Sequence, residues 1–172
     1  MWTWLPMFLV ASFTTYKEEV SITFLALSSF ISIGIMGAFG CVIGGILSDK
    51  IGRANLTILS MLISGFCCLL IGFTYGKAIW LTLIIAFIWG ISIIADSAQF
   101  SVAVSEVSEF SYVGTALTFQ MCIGFLLTIV SIHLIPYIEK LVGWEGAFII
   151  LAIGPFLGAL AMYQYRKFEH VK

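Results

Sequence analysis

Charged and turn residues divide the chain into six apolar stretches, at about 2–14, 20–47, 55–75, 78–104, 112–136 and 143–165. Each of the last five is long enough to cross a hydrocarbon core of roughly 30 Å as a helix. Composition agrees with that reading. Hydrophobic residues make up 61% of the chain and charged residues 10%, against roughly 25% charged in an ordinary soluble domain, and mean hydropathy is +1.12. At about 20 residues per crossing, 172 residues hold at most five or six helices. No room is left for a separate nucleotide-binding or catalytic domain. The expected fold is an all-α polytopic membrane helical bundle forming one domain over residues 1–172. It should contain about five full transmembrane helices and one short N-terminal apolar helix. That first stretch, Trp2 to Thr14, would rise only about 20 Å and starts at residue 2 as though its opening turns were missing.

Eight Lys plus Arg against nine Asp plus Glu give a net charge of -1, so nothing points to nucleic acid as a partner. The four cysteines, Cys41, Cys67, Cys68 and Cys122, lie in apolar runs without a CxxC pair or a neighbouring His. They read as small apolar residues, and neither a metal nor a cofactor is expected. No Lys or Arg precedes the first apolar stretch and Lys17 follows it, so that stretch is not read as a cleaved signal. Alternate separators share a side of the membrane. One side collects Lys50, Arg53, Arg166, Lys167 and Lys172, the other Lys17, Lys77 and Lys140, which places the 48–53 loop and the C-terminus in the cytoplasm. Tyr16, Tyr75, Trp80, Tyr137 and Trp144 fall at the opposite ends, where amphipathic rings suit the headgroup region.

Gly34, Gly37, Gly40, Gly44 and Gly45 recur at three- and four-residue spacing in the second stretch, leaving one side of that helix nearly without bulk. Gly40 and Gly44 form a GxxxG pair, read as tight packing within the bundle in preference to a dimerisation face.

The strongest local signal is Gly45-Ile46-Leu47-Ser48-Asp49-Lys50-Ile51-Gly52-Arg53, in a very short loop between two long apolar helices. Asp49, just past a helix end, is placed to accept hydrogen bonds from helix amides. Gly52 permits a tight turn, and Arg53 can pair with an acid of another helix. The spacing Gly-x-x-x-Asp-Lys-x-Gly-Arg resembles the signature loop between the second and third helices of each half of the major facilitator superfamily (MFS) of secondary transporters. The order of apolar stretches matches one six-helix half over the whole chain. Ala95 to Ser101 with Gly143-Trp144 resemble C-terminal halves of prokaryotic members, which implies a prokaryotic inner membrane and a truncated first helix that lines the transport path. Gly154-Pro155-Phe156-Leu157-Gly158 looks like an antiporter motif of the superfamily but lies in the wrong helix, and is read as a kink or close-packing feature.

Asp96 is the only carboxylate well inside an apolar stretch. A charge there costs several kcal/mol, so it must face protein or water. At 100° per residue Trp89, Ser92, Asp96, Gln99, Ala103 and Glu106 fall on one arc of roughly 100°. Two readings stand side by side: Asp96, with Gln99, Ser92 and Trp89, binds substrate or carries a coupling proton, or these residues tie neighbouring helices together. The resemblance implies that the fourth helix lines the central cavity. It also implies that Gly45, Asp49, Lys50, Gly52 and Arg53 form a conformational-switch loop whose arginine meets Glu106. His133 lies about 140° from the polar side made by Gln120, Gly124 and Ser131 and reads as interfacial; Trp4 reads as packing.

The function these readings imply is transport of a small solute by alternating access, inactive without a partner half, on a separate chain or in a missing N-terminal part. A homodimer ranks lower. The alternative is a non-transporting membrane bundle, a remnant or a subunit of a membrane complex. No paired-carboxylate, Ser/His or His-Glu-x-x-His arrangement lies in the apolar stretches, so an enzyme is not expected. Substrate, coupling ion and direction are not encoded in any motif.

Overall fold

The computed structural model describes residues 1–15 and 21–169. Seven helices account for nearly all of them: α1 Leu5–Thr15, α2 Ile22–Phe30, α3 Met36–Ile51, α4 Arg53–Phe73, α5 Ile79–Val107, α6 Val113–Ala147 and α7 Ile153–Glu169. No strand occurs among the described residues. A single π-helical turn, Ile31–Ile35, joins α2 to α3 without a break. Short 3-10 turns precede α6 at Phe110–Tyr112 and α7 at Ile150–Ala152.

The element ends follow local chemistry. The Thr23 N–H donates to the Ser21 hydroxyl at 3.3 Å and caps α2. Gly52, at φ 86°, ends α3 and opens α4 in one residue, a conformation that favours glycine. There the Asn55 side-chain amide donates to the Ile51 carbonyl at 2.7 Å, satisfying one of the last carbonyls of α3. Asp49 therefore lies inside the last turn of α3, exposed, and not beyond the helix end as the sequence reading places it; the turn at Gly52 comes three residues later.

Among the described residues, four helical runs are long and apolar enough to cross a membrane: Ile22–Ile51, Arg53–Phe73, Ile79–Val107 and Phe110–Ala147. The expected fifth full span is divided. Gly143, at φ 71°, separates the fifth and sixth stretches, and a second break at Phe148–Ala152 splits the sixth before α7 begins. That break puts Pro155 in the first turn of α7, where a helix needs no N–H donor.

Much of the buried core gathers around the short first helix, α1. Leu5, Phe8 and Leu9 of α1 are wholly buried, and Phe13 is almost so. Phe8 makes edge contacts with Phe148 and Trp144 and a tilted contact with Tyr75. The Ser12 hydroxyl accepts the Gly76 N–H at 2.9 Å, tying α1 to the α4–α5 turn. Of the residues assigned to an aromatic belt, Tyr75 and Trp144 pack into this core, while Trp80 and Tyr137 are exposed; Tyr16 lies outside the described residues.

Helix α5 is the hub, packed on one side by α3 and on another by α4, which in turn carries α7. The glycine side of α2–α3 is what meets α5. A Cβ on Gly37 would strike Ile94, and one on Gly40 would strike the Ile91 carbonyl; the built Cβ of Gly44 lies 3.2 Å from that of Ala95. From the other side, a Cβ on Gly90 would strike the Ser32 carbonyl within the π-turn. The glycines thus serve packing inside one bundle. Helix α6 differs: it buries only Ile135, Ile138 and Ala147, all in its second half.

Candidate functional site

The polar arc of α5 is buried along its intramembrane length. Trp89, Ser92, Asp96, Gln99 and Ala103 are all under 9% exposed. Its two ends are bonded to α4. The Trp89 indole N–H donates to the Ser64 hydroxyl at 3.0 Å, and Arg53 Nη1 lies 2.5 Å from Glu106 Oε1. Between them the Ser92 hydroxyl bonds the carbonyls of Ile88 and Trp89 at 3.1 Å, and the Ser97 hydroxyl donates to Asp96 Oδ1 at 3.1 Å. The arc is a seam between packed helices and also the only place where a carboxylate sits at depth among the described residues.

The ion pair has an electrostatic logic beyond its two charges. Arg53 is the first residue of α4 and Glu106 is one residue from the end of α5, so each sits at the pole of its own helix that repels it. Because the helices run antiparallel, each charge lies beside the favourable pole of the other. Side-chain exposures of 32% and 48% leave the pair well solvated, which limits it to about 1 kcal/mol or less.

Of the remaining loop residues, Asp49 and Lys50 are exposed, and a Cβ on Gly45 would meet nothing within 4 Å. The neighbouring Gly44, not Gly45, makes the close approach to α5. Helix α7 runs back along α4, with Phe156 against Gly65 and Met61 against Gly158, which carries Arg166 toward the Arg53 end. The close packing expected of the Gly154–Gly158 segment thus resides at Gly158. His133, exposed on α6, has Nδ1 2.9 Å from the Ile129 carbonyl.

One residue round from the arc lies a cleft of about 370 Å³. Ile93 and Ser97 of α5 form one wall and Phe125, Thr128, Ser131, Ile132 and Ile135 of α6 the opposite one; residues Met1 to Trp4 and Leu151 close its end. Trp4, held by a tilted contact with Trp144, has a buried indole nitrogen with no hydrogen-bond partner. The arc centred on Asp96 leaves out Ser97, Thr128 and this cleft. A signal was present in the i, i+4, i+7 spacing of Gly124, Thr128 and Ser131, which puts small and polar positions on one side of an otherwise apolar helix. None of the described His, Cys, Asp and Glu residues cluster in a way that would hold a metal ion.

No curated protein and no solved structure matches the chain. The sequence model of the Major Facilitator Superfamily matches residues 1–171. Its members are membrane transporters, and an all-helical bundle with four runs long enough to cross a membrane among the described residues accords with that match over nearly the whole length. The chain belongs to the major facilitator superfamily.

Proposed function

We propose that the chain works as one six-helix half of a transporter, equivalent to a C-terminal half, and moves a small solute by alternating access against a second half. The family match carries this reading. Two features of the bundle support it. The Arg53–Glu106 latch joins the α3–α4 turn to the foot of α5 at one end only, so breaking it would free that end while the glycine-packed middle holds. Helix α6 is exposed along most of its length, the surface a second half would cover. In this reading the Arg53 end and the C-terminus face the cytoplasm of a cell membrane, following the bias of Lys and Arg. Asp96 is the first candidate for substrate or proton coupling, with Ser97 linking it to the cleft.

The test is accessibility from the two sides. With Cys41, Cys67, Cys68 and Cys122 replaced by Ser, Ser97→Cys in native membranes should react with an impermeant thiol reagent added on either face. Arg53→Glu should raise the rate from the cytoplasmic face and lower it from the other. Labelling from one face only, unchanged by Arg53→Glu, would sink alternating access and leave a non-transporting bundle. The native product, detected with an antibody to the tail Arg166 to Lys172, should run at about twice 18.9 kDa or more, or co-purify with a second membrane chain of similar size. Asp96→Asn should fold normally and abolish pH-dependent uptake; retained pH dependence would remove the proton-carrier role.

A further inference from the structure

The cleft between α5 and α6 has a chemistry of its own, and it narrows the class of solute. Resting on the transporter reading above, we infer that the cleft takes an uncharged solute with an apolar or aromatic body and a head group that donates hydrogen bonds and accepts one. Its volume of about 370 Å³ suits a small molecule. Among the described residues no Lys, Arg, His, Asp or Glu side chain lines it, and its one ionisable group, the Met1 α-amino group, is pushed toward the neutral amine by burial. Asp96 stands behind Ser97 and reaches the cleft only through that hydroxyl. An ion without a countercharge in such a site carries a large desolvation penalty, so charge is selected against.

The polar atoms set the head group. A hydroxyl has one proton, and three of the four lining hydroxyls already direct it to acceptors within their own helices. Thr128 donates to the Gly124 carbonyl at 2.9 Å and Ser131 to the Thr128 carbonyl at 2.8 Å. Ser97 directs its proton to the Ile93 carbonyl or to Asp96. The lone pairs of these oxygens face a guest as acceptors. Thr3, exposed, is the fourth. Against them stand two donors at the closed end, the Met1 α-amino group and the Trp4 indole N–H, which has no partner and lies just beneath the cleft surface. Buried donors are rarely left so, and a small turn of the Trp4 ring toward the cleft would bring this one to a guest's acceptor. Trp2, Trp4 and Phe125 provide aromatic wall. A primary amide on an aromatic body, with two N–H donors and one carbonyl, has this complement.

A charge series on one skeleton separates the possibilities: 2-phenylacetamide, phenylacetate and 2-phenylethylammonium, titrated into the full chain in lipid nanodiscs and followed by tryptophan fluorescence and calorimetry. The amide should bind at least about tenfold more tightly than either ion. Trp4→Phe, which keeps the ring and removes the donor, should weaken the amide by about three- to tenfold. Ser97→Ala should weaken it by a smaller factor. Tightest binding of the ammonium, lost in Asp96→Asn, would overturn the proposal in favour of a cation site. Tightest binding of phenylacetate would overturn it in favour of an anion held by the Met1 α-amino group. No saturable binding of any of the three, or amide binding indifferent to both Trp4→Phe and Ser97→Ala, would also overturn it. Binding is read without flux, so amide selectivity with one-sided labelling of Ser97→Cys would leave this inference standing while the transport reading failed, and the reverse pair of results would do the opposite.

Discussion

Two neighbouring faces of α5 are built to opposite rules. Toward α2 and α3, Gly40 and Gly90 meet backbone and leave no room for even one added carbon, and Gly37 packs under the Ile94 side chain. Toward α6 the same helix presents Ile93 and Ser97 to a cleft of about 370 Å³. In lipid, apolar side chains gain nothing by leaving water, so helix pairs are held by contact density and by internal hydrogen bonds. A pair with glycine contacts along its length has one packing, whereas a pair that touches mainly near one end can part elsewhere. The difference assigns rigidity to one side of α5 and room for a guest to the other.

The sharpest way to break this contrast is Gly90→Leu. The first added carbon collides with the Ser32 carbonyl, so α5 must leave the π-turn; the expected loss is about 3 kcal/mol or more, read as a collapse of the thermal melting midpoint in detergent. Gly45→Leu in the same assay should cost less than about 0.5 kcal/mol, because nothing lies near that position. Next in size is Ser64→Ala, which strips the buried Trp89 indole of its acceptor. About 1–2 kcal/mol of stability should go, together with a shift in tryptophan emission. Arg53→Glu should cost about 1 kcal/mol or less and be largely restored by adding Glu106→Arg; failure of that rescue would show that the latch is not a simple charge pair. Smallest is Ser131→Ala in the cleft wall, at less than about 0.5 kcal/mol. Should it prove as damaging as Gly90→Leu, the two faces of α5 do not differ as described.

The sequence makes some of this plain and hides the rest for definite reasons. Long uncharged runs between clustered charges have only one fold available in lipid, so the helical bundle and the turn at Gly52 are readable before any coordinates. The glycine side is readable as a packing side, and the identity of its partner follows only once Ile91, Ile94 and Ala95 are brought opposite it. The two breaks at Gly143 and Phe148–Ala152 are harder, since apolar residues flank both and the π-turn at Ile31–Ile35 carries no charge or proline to mark it. The burial of α1 is invisible to hydropathy, which measures affinity for lipid or core without distinguishing them. The same limit applies to the arc on α5. Periodicity collects Trp89, Ser92, Asp96 and Gln99 on one side, but whether that side meets a helix or a cleft depends on where α4 and α6 lie.

The π-turn has a consequence for the length of the helix that contains it. Buried positions before it run Leu25, Ser28, Ser29 and Ser32, and after it Gly37, Gly40, Gly44 and Ser48. The step from 32 to 37 is one residue longer than a regular α-helix allows on one face. The turn therefore absorbs one extra residue without rotating either end of the helix. Removing one residue from Ile31–Ile35 should leave a shorter, regular helix whose serines and glycines still address α5, whereas adding one should turn the two halves of that helix about 100° out of register.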